Sequence, residues 1–344
     1  MGYNVARMTD EEPPTLAPQP AAWLKNRLAD AGIDPEQCTW ERIHAYPWSA
    51  VWRIQTGQKP LYLKLCAPSQ AHEPALTAAL AEWLPKAVLP VVAADPRHGW
   101  LLLPEGGRTL RQIIESGIAL TPETLYTHWQ PALELYATLQ WQVPNHLDAV
   151  RGFGVVDQRP ERLPVLFVEL LSHPERLVLD EPTMLTATEL EELAALLTRI
   201  EQASRELAAS GIPLSIDHGD SYDKHFFVLE EGYRLFDWGD AVITHPFLTL
   251  TAVLSSIGEH LGQRDVYHPL LKPFMDTYLA PWSAVADSAD LYHTADLATR
   301  LGCLPRALNW VRALAPHLDN LTPAMRAMYA EGVSYWLRRL RDEL

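Results

Sequence analysis

Between residues 217 and 240 the chain concentrates groups that carry charge or ligate metal. Asp217-His218-Gly219-Asp220-Ser221-Tyr222-Asp223-Lys224-His225 holds three aspartates and two histidines, and Asp237-Trp238-Gly239-Asp240 adds two carboxylates. Residues 225–229 and 233–236 read as strands around the turn Glu230-Glu231-Gly232, so a hairpin would return Asp237 to the side of His225. Carboxylates gathered in one place repel unless a cation or a proton intervenes. The pattern points to a divalent metal held by oxygen ligands, with a spare carboxylate to act as a base. Either half alone also reads as turn chemistry, because Asp and Gly are common loop formers; the two halves at hairpin distance favour a site.

The elements that must hold this cluster follow from periodicity. Trp23, Leu24 and Leu28 share a helical face that Gly32 closes. Strands are expected over 39–46, 50–56 and 60–66, turned by Pro47-Trp48-Ser49 and Gly57-Gln58-Lys59-Pro60. A helix over 73–84 follows, then apolar runs over 88–94 and 100–103 around Asp95-Pro96-Arg97-His98-Gly99. Pro104-Glu105-Gly106-Gly107 breaks the pattern, and beyond it the chain reads as mostly helical. Thr121-Pro122 and Thr322-Pro323 open helices with a cap and a proline at N1. Thr186 and Glu189 form a capping box before Leu190, Leu193, Leu197, Ile200, Ser204 and Leu207, a single helical spacing. Arg338, Arg339 and Arg341 suit the negative end of the last helix. A short strand over 212–217 leads into the cluster, which therefore sits on loops at the ends of a small sheet. Trp129, Trp141 and Trp310, in helical stretches, are expected in the core.

Composition sets the outer limits. At ~150 residues per domain, 344 residues make two domains or lobes. The 28 Lys and Arg against 43 Asp and Glu leave a net charge of −15, the wrong sign for a nucleic-acid partner. Cys38, Cys66 and Cys303 are scattered, which argues against a disulfide framework or a zinc site. No run reaches the ~20 apolar residues of a membrane helix, and residues 1–20 read as a flexible arm without a signal-type apolar stretch, so a cytoplasmic location and no membrane partner are expected. The expected division is an arm over 1–20, a first lobe over 21–104 and a second over 105–344. There is no G-x-x-x-x-G-K-[ST] loop, and Gly152-Phe153-Gly154 lacks the third glycine of a dinucleotide site.

His218-Gly219-Asp220, a ligand position five residues on, and Asp237-Trp238-Gly239 resemble the catalytic and metal loops of the aminoglycoside phosphotransferase and choline kinase-like family. The resemblance spans residues 39 to about 246 and implies an α+β, bilobal protein kinase-like fold. Its small first lobe is a five-stranded antiparallel sheet with one helix; its second lobe is larger and mostly helical. It implies that Asp220 accepts the proton of a substrate hydroxyl, that Asp237 holds a metal bridging nucleotide phosphates, and that His218 packs and hydrogen-bonds within its loop. Lys64, in Tyr62-Leu63-Lys64-Leu65, takes the phosphate-binding role, with Glu73 as its partner and Glu82 as the alternative. Backbone groups around Leu103 and Glu105 would bind the purine, while Gly106 and Gly107 also read as plain turn residues.

The sequence departs from the pattern in places. His225 stands where an asparagine is expected at the second metal position, so it is either a ligand or only a cap to the strand. Tyr46-Pro47-Trp48-Ser49-Ala50 has no G-x-G, which leaves the Ser49 hydroxyl and nearby N–H groups to cover phosphates. No A-P-E follows Asp237, and Thr244-His245-Pro246 soon opens a helix, which favours a small-molecule acceptor over a peptide. The resemblance thus implies transfer from ATP or GTP, with Mg2+ or Mn2+, to a small hydroxylated molecule; the acidic second lobe suggests a cationic one. The oligomeric state is not legible. Two other readings remain: a degenerate module that binds nucleotide without turnover, and a two-metal hydrolase, which leaves Lys64 and Glu73 without a role.

Overall fold

The computed structural model describes residues 15–117, 120–177 and 184–344. Residues 1–14 of the expected arm lie outside them, and its end is helical: α1, Pro18–Asp30, starts on a proline at its first turn, where the missing N–H costs no hydrogen bond. Next come β1 (Thr39–Tyr46), β2 (Ser49–Gln55), β3 (Leu61–Cys66), α2 (Glu73–Trp83), β4 (Ala93–Asp95) and β5 (Trp100–Pro104). The strands form one sheet in the order β1-β2-β3-β5-β4, with every pair antiparallel.

Alternation along β3 assigns the faces of this sheet. Leu61 and Leu63 pack with Trp52, Ile54, Leu102 and the α1 residues Leu24 and Leu28 in a small core. Lys64 turns the other way, toward α2, whose Leu76 and Leu80 belong to the larger core. The fourth strand is shorter than the apolar run over 88–94 suggested. Ala87, Val88 and Leu89 are buried as a connector, and Leu235 N–H donates to Ala87 O at 2.8 Å. Periodicity alone does not separate a buried connector from a strand.

The remaining elements are β6 (Arg108–Thr109), α3 (Leu110–Ile114), α4 (Pro122–Gln142), α5 (Leu147–Gly152), β7 (Val156–Asp157), α6 (Leu163–Ser172), α7 (Ala187–Ala194), α8 (Leu197–Ala208), β8 (Ser215–Asp217), β9 (Phe226–Leu229), β10 (Gly232–Leu235), β11 (Val242–Thr244), α9 (Leu250–Leu261), α10 (Lys272–Leu279), α11 (Ser288–Leu301), α12 (Cys303–Leu314) and α13 (Pro323–Glu343). The expected small sheet is two three-stranded sheets, β10-β9-β6 and β7-β11-β8, and the polar cluster lies between them. Gly106 lets the chain pass against β9, since a Cβ there would lie 2.2 Å from the Phe227 ring.

The expected capping box of Thr186 with Glu189 forms, and Thr121, expected as a cap, forms a second one with Thr124. The single helix expected over 187–207 is two. Leu196 N–H bonds back three residues to Leu193 O at 2.9 Å, a tightened turn that re-aims the axis between α7 and α8. The terminal arginines do more than answer a helix dipole: Arg338 Nε meets Glu189 Oε1 at 2.7 Å and Arg341 Nη1 meets Glu192 Oε2 at 3.0 Å, clamping α13 to α7. Trp129 is fully buried, but Trp141 is 36% exposed against the edge of Trp282, outside the core where it was expected. Among the described residues no helix is long and apolar enough to cross a membrane.

Candidate active site

Pairing of β8 with β11 sets Asp217 opposite Val242 and starts the loop that carries Asp220. Asp217 is buried and accepts from the Tyr136 hydroxyl at 3.0 Å and from Gly219 N–H at 3.1 Å. The same hydroxyl accepts from His218 N–H at 2.7 Å and from Thr249 Oγ1 at 3.2 Å, so one side chain of α4 anchors the loop. Gly219 has φ +75°, and a Cβ there would lie 2.2 Å from Asp240 O; a side chain is excluded twice over. His218 donates from Nε2 to Phe236 O at 2.8 Å and accepts Asp220 N–H on Nδ1 at 3.3 Å. Burial, and then neighbouring His225, push its imidazole down to about 4. It is a neutral packing residue of the loop.

The carboxylates that the sequence crowds together do not share one cation. Each has partners of its own. Asp217 has hydroxyl and N–H donors. Asp223, fully buried, meets Arg111 at 2.8 Å and His260 at 2.6 Å, away from the cleft. Asp240 meets Gln70 Nε2 at 3.2 Å and Arg312 at 3.7 Å. Among the described residues no three His, Cys, Asp or Glu side chains form a group able to hold a metal ion.

Asp220 and Asp237 face the space between the large sheet and the helices. Lys64 Nζ lies 2.7 Å from Glu73 Oε2 and 2.5 Å from Asp237 Oδ1, joining strand, helix and loop. Glu82 is exposed, which leaves Glu73 as the partner. Burial works against the Lys64 charge, but Asp237 and Glu73 outweigh it and hold the ammonium well above its ordinary value. Asp237 is the one non-glycine residue with positive φ among those described, at 69°, a strained backbone that frequently marks function. Burial alone would raise its carboxyl, yet Lys64 and His225 hold it well below the usual carboxylate range.

His225 bridges the two aspartates. Its Nδ1 donates to Asp220 O, and its Nε2 lies 3.4 Å from Asp237 Oδ2. With Nδ1 donating to Asp220 O, Nε2 is the ring nitrogen left to meet Asp237 or to ligate a metal beside it. Asp220 itself is held by Arg306 Nη2 at 2.9 Å and Lys224 Nζ at 3.0 Å. Burial raises its carboxyl, but the two cations prevail and keep it far below the ordinary range.

Of the other expected residues, Ser49 is buried at the start of β2, in register with Cys66. Leu103 pairs with Tyr62 in the sheet. Glu105 is exposed, and its N–H donates to Pro60 O at 3.2 Å, so that amide is committed to the sheet and does not point to a ligand. Trp48, in the turn before Ser49, meets Tyr329 of α13 edge-on at 5.5 Å.

Sequence reasoning missed Arg306 and Arg312 altogether and gave Lys224 no role. Lys224 had a signal, its spacing of four from Asp220. The arginines had none beyond being polar within the apolar stripe of α12, far down the chain.

No protein-family model matches the chain, and no curated protein matches its sequence. Solved structures do match its shape. An ethanolamine kinase from Plasmodium vivax aligns with TM-score 0.62 at 9% identity, over 94% of this chain and 88% of that one. A choline/ethanolamine kinase family protein from Mesorhizobium loti aligns at 0.56 and 16% identity, over 94% and 98%. An amicoumacin kinase in complex with AMP-PNP and Ca2+ aligns at 0.52 and 13%, over 94% and 96%. The chain has the α+β, protein kinase-like fold of these enzymes, as the sequence resemblance implied.

Proposed function

We propose that this chain, with the fold of small-molecule kinases, moves the γ-phosphoryl of ATP or GTP to a hydroxyl of a small molecule. The observation that carries the reading is the unbroken run of contacts from Glu73 through Lys64, Asp237 and His225 to Asp220. Lys64, oriented by Glu73, offers its charge to the nucleotide phosphates. The Ser49 hydroxyl and the N–H groups of the Tyr46–Ser49 turn cover them, and backbone of residues 103–106, without the Glu105 amide, meets the purine. Asp237 and His225 are the residues that would hold Mg2+ or Mn2+, which neutralises phosphate charge when bound. Asp220, on the acceptor side, orients the hydroxyl and takes its proton as the new P–O bond forms and the bond to the leaving nucleotide breaks. Residues 21–104 would then form the nucleotide lobe and residues 105–344 the lobe carrying the catalytic and metal loops.

The test is Asp220→Asn. Transfer should fall by ~10²–10⁴-fold, the contribution of a positioned base, while AMP-PNP binding, read by calorimetry, stays nearly intact. Near-normal transfer by the variant would remove Asp220 from its role. The second reading, a nucleotide-binding module without turnover, draws on the two cations that pin Asp220. It expects a nucleotide-induced rise in melting temperature and no product with any acceptor.

A further inference from the structure

On the strength of the nucleotide site assigned above, we propose that His44 of β1 is a further phosphate ligand, whose ring donates to the phosphate chain of the nucleotide from the side opposite Lys64.

Its placement follows from an irregularity in the large sheet. Directly paired residues of antiparallel strands share a face. Trp40 pairs with Ile54 and Arg42 with Trp52, on the face of the small core. Simple alternation would put residue 44 on that face as well. The register shifts between Arg42 and His44, however: Ile43 is an extra, exposed residue, and His44 pairs with Val51. Val51 in turn pairs with Lys64. His44, Val51 and Lys64 therefore stand in one row, on the face from which Lys64 reaches Asp237. Bulges re-aim side chains in this way and are frequent beside active sites. Burial brings the His44 imidazole below its ordinary value; Asp237 pulls the other way and Lys64 adds to the fall, so both groups are within electrostatic reach of the ring.

The turn after β1 is short of donors. Anions are cradled by successive backbone N–H groups, but only Pro47 and Trp48 separate β1 from β2, and proline has no N–H. The turn is also pinned, since Trp48 O accepts from Ala67 N–H at 2.8 Å and the Trp48 ring rests on Tyr329 of α13. A side chain of β1 supplies what this backbone lacks. The His44 ring lies 4.9 Å from that of Tyr46, which stacks on Trp48 at 5.1 Å. This row of rings, ending on α13, holds the imidazole in place before a ligand arrives and reduces the cost of ordering it. Two strand spacings, roughly 10 Å, separate the backbones of His44 and Lys64. A phosphate chain lying along the row meets the ammonium on one side and the imidazole on the other. A neutral imidazole has one N–H to donate, and a bond from it to a phosphate oxygen is strengthened by the charge of the acceptor.

Calorimetry of the full chain with AMP-PNP and Mg2+ reads the effect. His44→Leu should weaken AMP-PNP binding by about tenfold or more, the scale of one hydrogen bond to a charged group. His44→Gln, which keeps an N–H donor, should recover most of the loss, and Ile43→Ser should bind as the wild type does. Normal binding by His44→Leu overturns the inference, as do equal losses in His44→Leu and Ile43→Ser, which would mark β1 as merely structural; both outcomes leave the kinase reading standing. Tripolyphosphate, which has neither base nor sugar, separates contact with phosphate from contact with purine. With Mg2+ it should raise the melting temperature of the wild type by more than that of His44→Leu, and equal shifts overturn the inference. A wild type that binds no AMP-PNP overturns this inference and the kinase reading together.

Discussion

At position 225 an imidazole, not an oxygen, faces Asp237. Mg2+ is hard and prefers oxygen, whereas imidazole suits softer metals. With His225 as a ligand, turnover favours Mn2+ over Mg2+, and His225→Asn shifts the Mn2+ to Mg2+ rate ratio toward Mg2+ by about tenfold or more, the scale of a change in a metal's surroundings. Initial rates with both metals for both proteins check this; an unchanged ratio would leave His225 as no more than a donor to Asp220 O. Asp220, His225 and Asp237 were legible because a hairpin joins them within a short span, and Lys64 with Glu73 because the resemblance called for a lysine on the third strand and a glutamate on the next helix. Arg306 was not, because a contact between residues 86 apart has no local period to betray it.

Among elements, α4 matters most to the site although it contributes no reacting group. Its Tyr136 joins Asp217, His218 and Thr249 through one buried hydroxyl. Tyr136→Phe leaves a buried carboxylate and a buried N–H short of a partner, a loss of about 1–3 kcal/mol, and should lower kcat as the loop loosens. Thr249→Val removes its contacts to that hydroxyl and to the Ser221 hydroxyl at 2.8 Å but leaves the bonds of Tyr136 to Asp217 and His218, and should cost less. Urea midpoints of the two variants test the order; equal midpoints would mean that Tyr136 is not the anchor. The strands β1, β2 and β3 were legible because each has a polar face and turn residues at its ends. The connector at Ala87–Leu89 was misjudged because it is buried on all sides, and the break between α7 and α8 because the apolar spacing continues through it.

Over the whole molecule, three buried histidines set the acid limit. Burial, then Arg312, push His72 down to about 3; burial brings His245 to about 3; His218 lies at about 4. Each titrates near ~6.5 once unfolded, so between that value and ~4 the unfolded chain binds more protons than the folded one. Stability is therefore complete above ~6.5 and falls as pH drops, by up to about 1.4 kcal/mol per pH unit for each histidine. Urea midpoints at pH 7, 6 and 5 should decrease steadily, and His245→Gln should flatten the slope; a flat wild-type profile would contradict these environments.

The ion pair between Lys64 and Asp237, at 2.5 Å, has a thermodynamic consequence. On the proposed assignments, neither group serves its ligand while it neutralises the other. A nucleotide that draws Lys64 away would leave Asp237 with His225 alone, and a metal that engages Asp237 would leave Lys64 with Glu73 alone. Whichever arrives first has to break the pair, and the second finds its group already released. Nucleotide and metal then bind with positive cooperativity, and by reciprocity each tightens the other by the same factor.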